Sequence, residues 1–143
     1  MRLAFYQAKG GFINRAIRWR TNGPFSHVEL VFSDGVSFSA HAKEGVRFTS
    51  LINWAPGDWF YVAIPARYPE AAVRKWCSLQ TGKRYGYWEI MRFLIPFLPP
   101  VAGEKFCSQV CTNALKHAGL WKDVDPVDVG PSELALMALQ LTP

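Results

Sequence analysis

Residues 25–42 read FSHVELVFSDGVSFSAHA. Two runs of alternating apolar and polar side chains flank Asp34-Gly35. A period of two marks a strand with one covered face, and Asp-Gly between two such runs is a strong hairpin signal. The hairpin commits this part of the chain to antiparallel pairing. Arg2–Gln7, GVRF (45–48) and DWFYVAIP (58–65) also have strand character, and together these pieces predict a small antiparallel sheet. With a two-residue loop at Asp34-Gly35, residue 27 pairs near residue 42.

Helical periodicity surrounds the strands. FINRAIRWR (12–20) has apolar positions 12, 13, 16 and 17 and basic positions 15 and 18, and TNGP (21–24) ends it. PEAAVRKWCSLQTG (69–82) opens near a proline and closes on Gly82, with Val73, Trp76, Cys77 and Gln80 on its inner side. Residues 83–104 are loop-rich, with a short helical piece around Trp88–Leu94. Cys107–Ala118 has the strongest helical pattern, stopped by Gly119. PSELALMAL (131–139) has Pro131 and Ser132 well placed for a helix start. One helix before a sheet and several after it predict an α+β fold, the sheet packed against the helices. The 143 residues are half apolar, enough to bury one core, so the expectation is a single domain over 1–143.

Three cysteines are an odd number and too sparse for a disulfide scaffold, which favours reduced thiols and a cytoplasmic site of synthesis. MRLAFYQAKGGF lacks the apolar core of a signal peptide. Ile90–Val101 is interrupted by Arg92, Pro96, Pro99 and Pro100 and cannot span a bilayer. YWEIMRFLIPFLPP (87–100) is apolar, but its prolines spoil a regular amphipathic face, so a loop over the core is favoured above membrane contact. The net charge of +5 is spread over Arg15, Arg18, Arg20, Lys83 and Arg84. The charges are not interleaved with exposed aromatics, which fits solvated surfaces and no nucleic-acid partner.

The chemistry centres on GEKFCSQVCTNALKHAGL (103–120). Cys107 stands where the helix begins, where unpaired N–H groups and the helix dipole favour a thiolate. Cys111 lies one turn deeper among Val110, Ala114 and Leu115, as a core filler. A nucleophilic thiol needs a base in hydrogen-bond reach. His117 shares the helix but lies about 15 Å along its axis from Cys107, too far to serve. His27 opens the strand HVELV, whose alternation groups His27, Glu29 and Val31 on one face and Val28, Leu30 and Phe32 on the other. The base in turn needs an orienting partner. Glu29 has charge in its favour, His41 has cross-strand proximity, and Ser39 lies on the same second strand. Pattern alone leaves the three open. A metal centre of His27, His41, Cys107 and Cys111 is not expected, because Cys-x3-Cys and His-x13-His are not the compact pairs of structural zinc sites.

The order of His, polar residue on the next strand, then Cys opening a late helix resembles the circularly permuted branch of the NlpC-like papain-fold hydrolases. That branch includes lecithin retinol acyltransferase-like enzymes and bacterial and phage relatives. The matching pieces are SHVELVFSDGVSFSAH (26–41), TGKRYGYW (81–88) and KFCSQVCTNALKHAGL (105–120). The resemblance implies a permuted papain-like fold with Cys107 as nucleophile and His27 as base. The family's third residue usually sits on the second hairpin strand as His or Glu. That position is Ser39 here, with His41 two further on, so the third role stays open among His41, Glu29 and Ser39. Gln109 and Gly86 stand where relatives often carry Glu and Asp.

The implied activity is acyl transfer to a thiol, with helix N-terminal amides holding the oxyanion and no cofactor. Trp54, Trp59, Tyr85 and Trp88 are candidates to line the substrate cleft. The first expectation is a cysteine-peptidase-type amidase acting on cell-wall peptide. The alternatives are an inactive binding or assembly module, such as a phage tail-associated protein with a particle partner, and a lipid-directed acyltransferase. The expected place is the cytoplasm at synthesis, with carriage in a phage particle as one route outward.

Overall fold

A computed structural model describes residues 1–7, 11–41, 44–50, 57–84 and 106–141. In chain order these form β1 (Arg2–Tyr6), α1 (Phe12–Thr21), β2 (His27–Val31), β3 (Val36–His41), β4 (Gly45–Ser50), β5 (Trp59–Ala63), α2 (Glu70–Gln80), α3 (Cys107–His117) and α4 (Pro131–Leu139). The strands make one five-stranded antiparallel sheet in the order β4-β3-β2-β1-β5. The fold is α+β, as the element order predicts. The stretch expected to carry a short helix around Trp88–Leu94 and the apolar run 87–100 lie outside the described residues. Among the described residues no helix is long and apolar enough to cross a membrane.

The hairpin forms where the alternation predicts, but its loop has three residues, Ser33–Gly35, and not two. The Phe32 N–H donates to the Val36 carbonyl at 2.8 Å, and the Gly35 N–H donates back to the Phe32 carbonyl at 3.1 Å. Gly35 has φ +84°, a left-handed conformation that closes a three-residue loop and that glycine adopts without a Cβ penalty. The Asp34 carboxylate accepts from the Val36 N–H at 3.1 Å. Leu30 therefore faces Phe38, and Val31 faces Ser37. The same register carried toward the far end of the hairpin sets Glu29 beside Ser39 and His27 beside His41, one step from the two-residue expectation.

One face of the sheet carries Leu3, Phe5, Val28, Leu30, Phe38, Ala40 and Val46, all without solvent exposure. The helices cover this face. α3 lies on β2 and β3 and also touches α2 and α4, so it is enclosed on several sides. Its residues Cys107–Thr112, Ala114 and Leu115 are buried. The helix ends in a Schellman arrangement: the Leu120 N–H reaches the Leu115 carbonyl and the Gly119 N–H reaches that of Lys116. α2 turns Val73, Cys77 and Gln80 inward as its spacing predicts, while Trp76 is only half-buried. On the opposite face of the sheet, Ala4, Glu29, Val31, Ser37 and Ser39 are buried too. Polar groups on that face must therefore satisfy one another.

Candidate active site

Cys107 is the first residue of α3 and is 3% exposed. The first N–H groups of any helix have no partner within it, so the thiol sits where the backbone favours negative charge. His27 is the first residue of β2, half-buried, and close enough to Cys107 for the thiol's charge and hydrogen-bonding capacity to raise its pKa. The nucleophile and base expected from the sequence are therefore brought together, although 80 residues apart in the chain.

The partners of the base are resolved by geometry. His27 Nε2 lies 3.4 Å from Glu29 Oε1, and His41 Nε2 lies 2.8 Å from the same oxygen. An ionised carboxylate only accepts, so both Nε2 atoms direct a hydrogen at it. The rings of His27 and His41 meet edge to face with centroids 4.8 Å apart. Ser39, the third candidate, spends its hydroxyl on the Val28 carbonyl at 2.7 Å. The structure thus brings Glu29 to His27 and His41 to Glu29, and turns Ser39 to the backbone.

One residue at the site escaped the sequence reading. The Ser37 hydroxyl donates to Glu29 Oε2. The signal was present: Ser37, Ser39 and His41 alternate with Phe38 and Ala40, so they share the face that Glu29 occupies on the next strand. Trp59, one of the candidate cleft aromatics, stands edge-on to His27 with centroids 6.3 Å apart and packs on Tyr6. Trp54, Tyr85 and Trp88 lie outside the described residues.

Burial alone would discharge these groups, and their contacts reverse it. For His27, desolvation opposes the imidazolium, but the charge and hydrogen bond of Cys107 and those of Glu29 outweigh it, and the pKa is pushed up to about 10. For Glu29, 2% exposed, desolvation favours the neutral acid, but hydrogen bonds from His27, His41 and Ser37 and the His27 charge hold it well below the usual carboxylate range. The other two thiols go the opposite way. Burial pushes Cys77 up to about 12. Cys111 is raised well above its ordinary value by burial first and then by the charges of Cys107, Cys77 and Glu29. The Cys111 thiol points at the Val28 and Phe38 carbonyls at 3.9 and 3.8 Å. It is a packing residue beneath the site.

Metal-ligating atoms also converge here. One ligand atom each from His27, Glu29 and His41 lie within 4.8 Å of one another, a grouping the sequence spacing did not anticipate. Neither Cys107 nor Cys111 is part of it. A separate cavity of about 500 Å³ opens between the α1–β2 connection and α4, lined by Phe25, Asp128, Glu133 and Leu136 among others. None of the Cys107 cluster lines it.

Comparison with known proteins finds no family model and no curated protein that matches the chain.

Proposed function

We propose that the chain is a thiol hydrolase of the permuted papain-like type that cleaves an amide, with cell-wall peptide as the first substrate class. The observation that carries this reading is His27, with Glu29 Oε1 3.4 Å from its Nε2 and Cys107 near enough to raise its pKa. A nucleophile, a base and a charged orienting group in that sequence are what acyl transfer through a thiol requires.

With Nε2 turned to Glu29, Nδ1 of His27 is the nitrogen that serves the thiol. The Cys107 thiolate attacks the carbonyl carbon, forming the S–C bond and an oxyanion held by amides at the start of α3. The His27 imidazolium gives its proton to the leaving nitrogen as the C–N bond breaks. Water then attacks the thioester, His27 takes its proton, and the S–C bond breaks to release the acid. Glu29 keeps the imidazole oriented through both halves.

The test is release of new amino groups from purified peptidoglycan by the wild type and by Cys107→Ala. We expect release by the wild type, none by the variant, and matching thermal unfolding of the two. Retained activity in the variant sinks the assignment. An inactive wild type with slow iodoacetamide labelling of Cys107 points instead to a binding or assembly module. Flotation with liposomes and ester cleavage in place of amine release favour a lipid substrate.

A further inference from the structure

We propose that His27, Glu29 and His41 also form a binding site for a divalent transition metal of the zinc class, and that metal binding and thiol chemistry exclude each other through His27. A Cys–His–carboxylate arrangement needs one imidazole at the carboxylate. Here two imidazole Nε2 atoms converge on a single oxygen, at 3.4 and 2.8 Å. Four-coordinate zinc with bonds near 2.0–2.1 Å holds its N and O ligands about 3.3 Å apart. The three ligand atoms already lie within 4.8 Å of one another, so small side-chain adjustments admit an ion between them.

The donor set selects the metal. Two imidazoles and one carboxylate suit zinc, cobalt, nickel or iron, whereas calcium and magnesium require several oxygens. Glu29 is 2% exposed, so its attraction for a cation is weakly screened. Its second oxygen is held by the Ser37 hydroxyl, which fixes the carboxylate as outer partners fix metal ligands elsewhere. Three protein ligands leave the fourth position to water.

The exclusion follows from the ring. Metal on Nε2 of a neutral imidazole leaves its one proton on Nδ1. His27 can then neither accept a proton from water nor carry a second one to a leaving amine. On binding, each ring presents a bare Nε2 to the metal, and the hydrogen it now directs at Glu29 is displaced. The metal site rests on the ligand geometry; its effect on Cys107 rests on the thiol reading.

The test is titration of the metal-free chain with Co²⁺ and Zn²⁺, with Mg²⁺ as control. The expected result is one equivalent bound, visible d–d bands with Co²⁺, and no effect of Mg²⁺. His41→Ala weakens binding by at least about tenfold, since even an outer-shell loss has that size. Cys107→Ala retains the bands, because Cys107 is not among the ligands. Saturating Zn²⁺ slows iodoacetamide labelling of Cys107 at neutral pH, EDTA restores it, and His41→Ala removes the zinc effect. Circular dichroism of each variant checks the fold. Absent d–d bands in the wild type, or binding unchanged in folded His41→Ala and His27→Ala, overturns the site. Bound zinc that leaves Cys107 labelling unchanged overturns the exclusion. If Cys107 labels slowly with or without His27 in the metal-free chain, the thiol reading fails while the titration still decides the metal site.

Discussion

At the scale of single residues, three thiols of one chain meet three environments. Cys77 and Cys111 are without solvent exposure, and burial pushes Cys77 up to about 12 and Cys111 well above its ordinary value. Both should resist iodoacetamide at pH 8 until the protein unfolds, and peptide mass spectrometry before and after denaturant reads this directly. Labelling of Cys111 in the native state would mean that α3 does not pack on β2 and β3 as described. Glu29 is the residue on which the polar cluster depends. Removing a buried charge leaves its partners unpaired, which costs about 3 kcal/mol. Glu29→Ala should lower stability by that order in urea titrations. Glu29→Gln should lose less, because an amide oxygen at the Oε1 position still accepts from the imidazoles.

At the scale of elements, the end of α2 is fastened to the edge of the sheet. The Gly82 N–H donates to the Val46 carbonyl at 2.8 Å, and the Val46 N–H donates to that of Lys83 at 2.9 Å. The backbones approach so closely that a Cβ on Gly45 would lie 2.4 Å from the Lys83 carbonyl oxygen, and Gly45 has φ +72° besides. Left-handed backbone costs a non-glycine residue about 1–2 kcal/mol before any clash is counted. Gly45→Ala should therefore destabilise by more than 2 kcal/mol on this order-of-magnitude scale. Hydrogen exchange should show faster opening at Val46 and Gly82. Unchanged protection at both amides would refute the fastening. These contacts also occupy backbone groups of β4 that an edge strand would otherwise leave open to pairing.

At the scale of the whole molecule, α2 ties the β2–β3 loop and the start of β1 together. Glu70 accepts from the Ser33 N–H at 3.1 Å and hydroxyl at 2.7 Å and lies 3.1 Å from the Met1 amine, while Arg74 meets Asp34 at 2.7 Å. Desolvation opposes ionisation of Glu70, but the Ser33 hydrogen bonds and the terminal amine outweigh it and lower its pKa. A carboxylate with a depressed folded pKa contributes stability above its unfolded pKa and loses it as pH falls through the folded value. The group is partly exposed, so the contribution is about 0.5–1 kcal/mol after screening. Glu70→Gln should lower Tm by a few degrees at pH 7, and the gap should close in acid. A gap that persists below pH 2 would assign the effect to packing. Strands and helices were legible in the sequence because alternation in SHVELVF and helical spacing in CSQVCTNALKH report local geometry. The place of Cys107 at a helix start was legible too, because the helical spacing of CSQVCTNALKH begins there. Tertiary structure alone decided the hairpin register and which of Glu29, His41 and Ser39 meet in one hydrogen-bonded cluster with His27. A single left-handed residue, Gly35, shifts the pairing by one step, and each side chain's partner depends on distances across strands. Sequence spacing carries no record of such distances. The convergence of two imidazoles on one oxygen likewise arises only when β2 and β3 lie side by side.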